Sequence, residues 1–270
     1  MPLITATELA ELLESGPPIS LLDVRWQLQN KAAGFDDYQA GHIPGAVFLD
    51  FDEDVCGPPG KAGRHPLPDP AKLQEALRRA GVNNDAIVVC YDDGHYLSAA
   101  RTWWTLRWVG LKRVYVLDGG IKGWADGRGD LSTQTPDVAP GNIEVEPHNE
   151  AAINSDQAAI WAEQGKLVDV RDRARFFGDK EFVDPVAGHI PNAGNLPSSD
   201  DIDDQGHFLP KGRLRDRYRD HMDTALYCGS GVTAARSALA MSIAGYKPPP
   251  LYIGSWSNWI AEDRPVSSGD

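Results

Sequence analysis

The sequence predicts an α/β protein built as two similar domains, each a mostly parallel sheet flanked by helices. Three observations predict it. The chain has 270 residues, long for one core and comfortable for two domains. Apolar runs of strand length alternate with stretches of helical periodicity. The same order of motifs also occurs twice. Leu21-Leu22-Asp23-Val24-Arg25 returns as Leu167-Val168-Asp169-Val170-Arg171, and Ala40-Gly41-His42-Ile43-Pro44 returns as Ala187-Gly188-His189-Ile190-Pro191. Ser98-Ala99-Ala100-Arg101 returns as Thr233-Ala234-Ala235-Arg236, and residues 254–259 answer residues 119–124. Two copies indicate a duplicated domain, where a solenoid needs three or more repeats. The domains are read as residues 1–129 and 148–270, with a proline-bearing linker of little periodicity at 130–147.

In the first copy, Thr5-Ala6-Thr7-Glu8 fits a capping box, with Leu9, Leu12 and Leu13 on one helical face behind it. Residues 19–24 read as a buried strand, and Val47-Phe48-Leu49 as a short one after Gly41-His42-Ile43-Pro44. A polar, Gly/Pro-rich loop covers 52–70. Residues 71–80 are predicted as a helix, 86–91 as a strand, 98–109 as a helix and 114–117 as a strand. The second copy repeats this order.

Composition narrows the function. A formal net charge of −13 argues against nucleic acid or an anionic membrane as partner. No apolar run approaches the ~20 residues of a membrane span. The N-terminus lacks the basic and apolar regions of a secretion signal, and three cysteines are too few for a disulfide framework, so a reducing cytoplasm is expected. No metal or cofactor is expected: there is no Cys-x-x-Cys, and the seven histidines lack ligand spacing.

The most informative stretch is Tyr227-Cys228-Gly229-Ser230-Gly231-Val232-Thr233-Ala234-Ala235-Arg236. The apolar Ala225-Leu226-Tyr227 ends a strand, and a helical run covers 233–243. The loop between them therefore stands at a helix N-terminus, where free N–H groups and the helix dipole favour an anion. Two glycines let the backbone curl into an anion nest, and a cysteine at its mouth reacts as a thiolate. A small buried residue at a strand end is the bland alternative. Gly-x-Gly directly after the cysteine is costly for packing alone, which favours the reactive reading.

This decapeptide resembles the active-site loop of the rhodanese superfamily, and Cys-Gly-Ser-Gly-Val-Thr resembles the loop of its 3-mercaptopyruvate branch. The thiosulfate branch typically carries a basic Cys-Arg-Lys-Gly-Val-Thr loop. The resemblance covers both halves and implies two tandem rhodanese-like domains. It implies an enzyme that takes sulfur onto Cys228 as a persulfide, with Gly229, Gly231, Val232 and Thr233 forming the loop that holds it. The acceptor would be a thiol, either small or a protein such as thioredoxin, or cyanide. By the same resemblance, Arg175 matches the arginine that holds the donor carboxylate. Asp52 and His65 match a pair facing Ser230 across the cleft in a Ser-His-Asp relay. The branch often has a second arginine in a Glu-Pro-Arg segment. Here that stretch is Lys180-Glu181-Phe182-Val183-Asp184-Pro185, where Lys180 could compensate.

The duplication supplies an internal control. Features in both copies serve the fold; features in one copy are candidates for chemistry. Asp23/Arg25 with Asp169/Arg171, His42 with His189, Arg101 with Arg236, and Trp124 with Trp259 fall in the first class. Cys228 falls in the second: the first half has Asp92-Asp93-Gly94-His95-Tyr96 at the matching place, whose carboxylates would repel an anion. One active site is expected, in the second domain, with the first giving one wall of its cleft. Cys90 reads as core, and Cys56, beside Asp52, Glu53 and Asp54, as an unreactive thiol. The alternatives are a thiosulfate sulfurtransferase, a persulfide-carrying or protein-binding module without turnover, and a cysteine phosphatase. The last needs Cys-x5-Arg, but residue 234 is alanine.

Overall fold

The computed structural model describes residues 1–127, 129–148 and 152–269. Two compact units contain the chain. One comprises Met1–Gly57 with Pro68–Pro147, the other Pro58–Leu67 with His148–Asp270. Ten residues of the polar first-half loop therefore belong with the second unit. The stretch 130–147 packs with the first: Ile143 is buried and the Glu146 N–H donates to the Val109 carbonyl.

In the first unit, β1 (Leu3–Ile4), β2 (Ile19–Asp23), β3 (Val47–Phe48), β4 (Ile87–Tyr91) and β5 (Val114–Leu117) form a parallel sheet in the order β1-β5-β4-β2-β3. The helices are α1 (Ala6–Ser15), α2 (Ala33–Ala40), α3 (Pro70–Arg79), α4 (Leu97–Trp108) and α5 (Gly120–Gly127). The capping box on α1 is present, with Thr5 Oγ1 accepting from the Glu8 N–H and Glu8 accepting from the Thr5 N–H. One face of the sheet buries Leu21, Val89 and Leu117 against Leu9 and Trp124.

The second unit repeats the plan. Strands β6 (Ala152–Ile153), β7 (Leu167–Asp169), β8 (Gly194–Asn195), β9 (Ala225–Tyr227) and β10 (Leu251–Tyr252) form a parallel sheet ordered β6-β10-β9-β7-β8. Its helices are α6 (Ser155–Glu163), α7 (Arg173–Phe177), α8 (Lys211–Arg217), α9 (Val232–Ile243) and α10 (Ser255–Ala261). The two-residue edge strands β1 and β6 carry too little periodicity to be read from sequence. No helix of the described residues is long and apolar enough to cross a membrane.

The duplicated motifs are structural in both copies. Arg25 forks onto Asp23 and donates to the Gly41 carbonyl at 2.8 Å; Arg171 forks onto Asp169 and donates to the Gly188 carbonyl at 2.7 Å. His42 Nδ1 lies 2.8 Å from the Tyr38 carbonyl with its ring stacked on Tyr38, and His189 Nδ1 lies 2.8 Å from the Phe176 carbonyl with its ring on Phe176. Trp124 and Trp259 each donate Nε1–H to a backbone carbonyl six residues on, at 2.8 Å in both. These groups tie the loop after the second strand of each unit to its helices.

Candidate active site

The central strand of each sheet, β4 or β9, ends at its carboxyl edge in a loop that opens a helix. Open parallel sheets bind ligands at this edge. In the second unit the loop is 228–231. Cys228 is 1% exposed, and its Sγ accepts the Gly231 N–H at 3.2 Å. Gly231 has φ +80°, the left-handed turn that swings its N–H back onto the sulfur and starts α9. Val232 and Thr233 open that helix, where the first N–H groups have no intrahelical acceptor. Helix α10 clamps the loop. The N–H groups of Trp256 and Ser257 donate to the carbonyls of Cys228 and Gly229, both at 3.0 Å. Ser255 Oγ accepts the Cys228 N–H at 3.2 Å and donates to the Tyr252 carbonyl at 2.7 Å.

The matching loop of the first unit has its own anion inside. The Asp92 carboxylate accepts the N–H groups of Gly94 at 2.9 Å, Tyr96 at 3.1 Å and Ala99 at 3.2 Å. Asp92 is 3% exposed; burial pushes its carboxyl above the ordinary range against the pull of those N–H groups. The sequence suggests a carboxylate that repels anions from the nest. In the structure, Asp92 occupies the nest itself.

Segment 58–67 joins the second unit through specific contacts. Gly60 and Gly63 pair in a tight turn. Gly63 has φ +114°, and a Cβ there would stand 2.8 Å from the Gly254 carbonyl oxygen, so only glycine lets the segment come this close. Asn258 Nδ2 donates to the Lys61 carbonyl at 2.8 Å, and Ser257 Oγ accepts the Arg64 N–H at 3.0 Å. This places His65 Nδ1 2.8 Å from Ser230 Oγ, with both residues buried. Two residues far apart in sequence thus share a hydrogen bond, in which the serine hydroxyl donates when Nδ1 carries no proton.

Arg175 stands beside the same loop, on α7. It forks onto Glu181, with Nε–H donating at 3.0 Å and Nη2–H at 2.9 Å, and Nη2 also donates to Asp184 at 3.0 Å. Burial alone would raise the Glu181 carboxyl. The Arg175 hydrogen bonds and the N–H groups of Val183 and Asp184 together outweigh it and hold the carboxyl below its usual range. Arg175 Nη1 takes part in none of these bonds. A Cβ on Gly229 would lie 3.6 Å from both Nη1 and Nη2 of Arg175. The arginine is therefore held by carboxylates on one edge and turned toward the cysteine loop on the other. Lys180 is exposed.

Asp52 lies in the first unit, in a π-helical turn (Phe51–Val55) capped by Asp50, which accepts the Asp52 N–H at 2.9 Å. Burial raises its carboxyl, partly offset by a hydrogen bond from Trp26. Cys56 and Cys90 are buried free thiols. Burial, more than the neighbouring carboxylates, pushes Cys56 up to about 12; Cys90 is raised by burial as well.

Two residues of this neighbourhood escape the sequence reading. Ser255 has φ +53°, the left-handed region that Gly120 adopts with φ +58° at the matching place in the first unit. Arg64 is the second. Both are present in one copy only.

The family model for the rhodanese-like domain matches residues 5–126 and 154–262. A Pseudomonas aeruginosa protein that carries the name of a 3-mercaptopyruvate sulfurtransferase is 42% identical, over 99% of this chain and 98% of its own. A Mycobacterium tuberculosis protein that carries the name of a thiosulfate sulfurtransferase, SseB, is 40% identical over 99% and 97%. The crystal structure of the 3-mercaptopyruvate sulfurtransferase SseA from Escherichia coli superposes with a TM-score of 0.80 at 30% identity, covering 95% of this chain and 99% of that one.

Proposed function

The chain belongs to the rhodanese family of sulfurtransferases, and from that premise we propose that it takes its sulfur from 3-mercaptopyruvate, by way of a persulfide on Cys228. The observation that carries the reading is the pair of unlike nests. One is filled by Asp92, and the other holds the Cys228 sulfur against the Gly231 N–H.

The Cys228 thiolate attacks the thiol sulfur of the donor. The new S–S bond forms as the C–S bond breaks, and its electron pair leaves on pyruvate as the enolate. The proton carried by the transferred sulfur passes to the enolate carbon, so that pyruvate leaves and a persulfide anion remains in the nest. His65 moves that proton through Ser230. A nucleophile then attacks the outer sulfur and restores the thiolate. A small thiol, a thioredoxin-like dithiol or cyanide has this chemistry. We place the enzyme in the cytoplasm, where its three free thiols stay reduced.

Donor choice follows from charge. Thiosulfate brings two negative charges to the reacting end. Mercaptopyruvate carries its carboxylate away from the sulfur. Gly229 and Ser230 add no positive charge at the nest, whereas Arg175 lies to one side of it. Steady-state comparison of the two donors with cyanide as acceptor tests this. We expect kcat/KM for 3-mercaptopyruvate at least ~10-fold above thiosulfate, about 1.4 kcal/mol. A higher value for thiosulfate would assign the chain to the other donor, the one in the name of the Mycobacterium relative.

A further inference from the structure

Helix α10 carries two side chains that its first-unit counterpart α5 lacks. Residues 254–259 answer 119–124, so Ser257 stands where the first unit has Lys122, and Asn258 where it has Gly123. Asn258 is 7% exposed, and its amide is engaged at both ends. Its Nδ2 donates to the Lys61 carbonyl at 2.8 Å and to Glu262 Oε1 at 3.0 Å, and its Oδ1 accepts the Tyr252 hydroxyl at 2.6 Å. Two acceptors on one side and a hydroxyl on the other fix which way the amide faces. Burial alone would raise the Glu262 carboxyl. Hydrogen bonds from Arg264, Ser155 and Asn258 outweigh it and bring the carboxyl down to about 2, so the acceptor behind the amide is ionised near neutral pH. A Cβ on Gly254 would stand 2.5 Å from Asn258 Oδ1, so glycine there leaves room for the amide.

The segment that Asn258 holds carries His65. A cavity of about 560 Å³ lies against it, lined by Lys61, Pro66 and Leu67 of the segment and by Tyr252, Asn258 and Glu262. Close packing therefore does not fix the segment on that side, and hydrogen bonds from α10 do. Ser257 Oγ takes the Arg64 N–H, and the Asn258 amide takes the Lys61 carbonyl. We propose that Asn258 is a positioning residue for the proton relay: its amide sets the segment so that His65 Nδ1 meets Ser230 Oγ. The inference rests on the reading of His65 as the group that moves the donor's proton. Asn258 acts through the Lys61 carbonyl, four residues before His65. Proton transfer needs its partners about 2.6–3.2 Å apart, so a small shift of the segment is enough to break the relay.

The test uses the full chain with Asn258→Ala and Asn258→Asp, alone and combined with His65→Ala. Aspartate keeps the shape but offers the Lys61 carbonyl no amide hydrogen. With 3-mercaptopyruvate as donor and cyanide as acceptor, kcat is expected to fall about tenfold in each single Asn258 variant. In the His65→Ala background, Asn258→Ala should cost less than about twofold, because the group it positions is gone. Ring-nitrogen NMR of the labelled protein, with His65 assigned by its loss in His65→Ala, needs no turnover. The wild-type Nδ1 signal carries the hydrogen bond from Ser230, and in both Asn258 variants it should move toward that of a solvated imidazole. A tenfold loss that persists without His65 would overturn the proposal, as would an unmoved ring signal or a wild-type kcat in Asn258→Asp. If His65→Ala leaves kcat unchanged, or the wild type does not turn over 3-mercaptopyruvate, the relay reading fails. The placement of His65 by Asn258 then still stands or falls on the ring signal.

Discussion

The loops after β4 and β9 share a position at the carboxyl edge of the middle strand. Each is followed by a helix whose first residue is preceded by a left-handed residue, Tyr96 with φ +56° or Gly231 with φ +80°. In each, the backbone N–H of a residue just past the next strand donates to the carbonyl of the first loop residue, Ile121 to Asp92 or Trp256 to Cys228. The two loops differ in what the nest contains. A carboxylate fixed by three N–H groups closes the first. A sulfur held by one N–H leaves the second able to receive another atom. Duplication thus kept the nest in both units, with a carboxyl group built into one and a cysteine sulfur in the other.

The largest expected effect comes from making the second nest like the first. Cys228→Asp should fold, with the new carboxylate accepting the loop N–H groups, and should have no sulfurtransferase activity. Cys228→Ser separates loss of the nucleophile from filling of the nest. Intact-mass measurement after donor treatment should show one added sulfur, about 32 Da, on wild type, Cys56→Ser and Cys90→Ser, and none on either Cys228 variant. Sulfur on Cys228→Ser would remove the assignment of the nucleophile.

The second unit also has a charged tier around its loop. Both units have the buried Asp-Arg fork, and the second adds Glu181, Arg175, Asp184 and Arg64. On the proposed donor reading, Arg175→Ala removes a charge-assisted contact worth about 2–3 kcal/mol, so kcat/KM should fall roughly 30–150-fold. Arg175→Lys should restore part of it. The structure also changes what a basic loop would do. Arginine at Gly229 would meet two guanidinium groups within 3.6 Å of its Cβ, so Gly229→Arg should harm loading from either donor. A wild-type kcat/KM in Arg175→Ala would detach this tier from function.

Much of this arrangement is legible in the sequence because the chain carries its own comparison. Repeated Asp-x-Arg and Gly-His-Ile-Pro fix the framework, and the unrepeated Cys-Gly-Ser-Gly marks the loop we propose as reactive. The sequence does not show where residues 58–67 pack. Their attachment depends on Gly63 approaching the Gly254 carbonyl and on side chains of α10, contacts more than 190 positions away in the chain. Arg64 is overlooked for that reason: it meets Asp184 from a segment 120 positions away in the chain. Ser255 is hidden by its backbone, since nothing in Gly254-Ser255-Trp256 announces a positive φ.

Acid should discharge Glu181 only at low pH, below the ordinary carboxylate range. Glu181 has a depressed folded value, so its contribution to stability is complete above its unfolded pKa of about 4.3 and is lost as pH falls through the folded value. Glu181→Gln removes that contribution, about 2 kcal/mol at neutral pH for hydrogen bonds to a buried charged group. The variant should have a lower Tm than wild type at pH 7, with the difference shrinking toward pH 3. An unchanged Tm difference across that range would show that Glu181 acts through packing and not through its charge.

The smallest expected effect tests how the nest is held. Ser255 adopts a conformation that costs a non-glycine residue roughly 1 kcal/mol, and its hydroxyl takes the Cys228 N–H, a hydrogen bond worth about as much. Gly120 holds the same backbone in the first unit without strain and without the bond. Ser255→Gly therefore loses the bond and relieves the strain, and its Tm should stay close to wild type. Ser255→Ala loses the bond and keeps the strain, and its Tm should fall. Both variants free the Cys228 N–H, so both should lower kcat by a similar, severalfold amount. Equal Tm losses in the two variants would mean that the left-handed turn costs nothing here. A kcat loss in alanine but not glycine would mean that backbone conformation, and not the hydroxyl, sets the position of the sulfur.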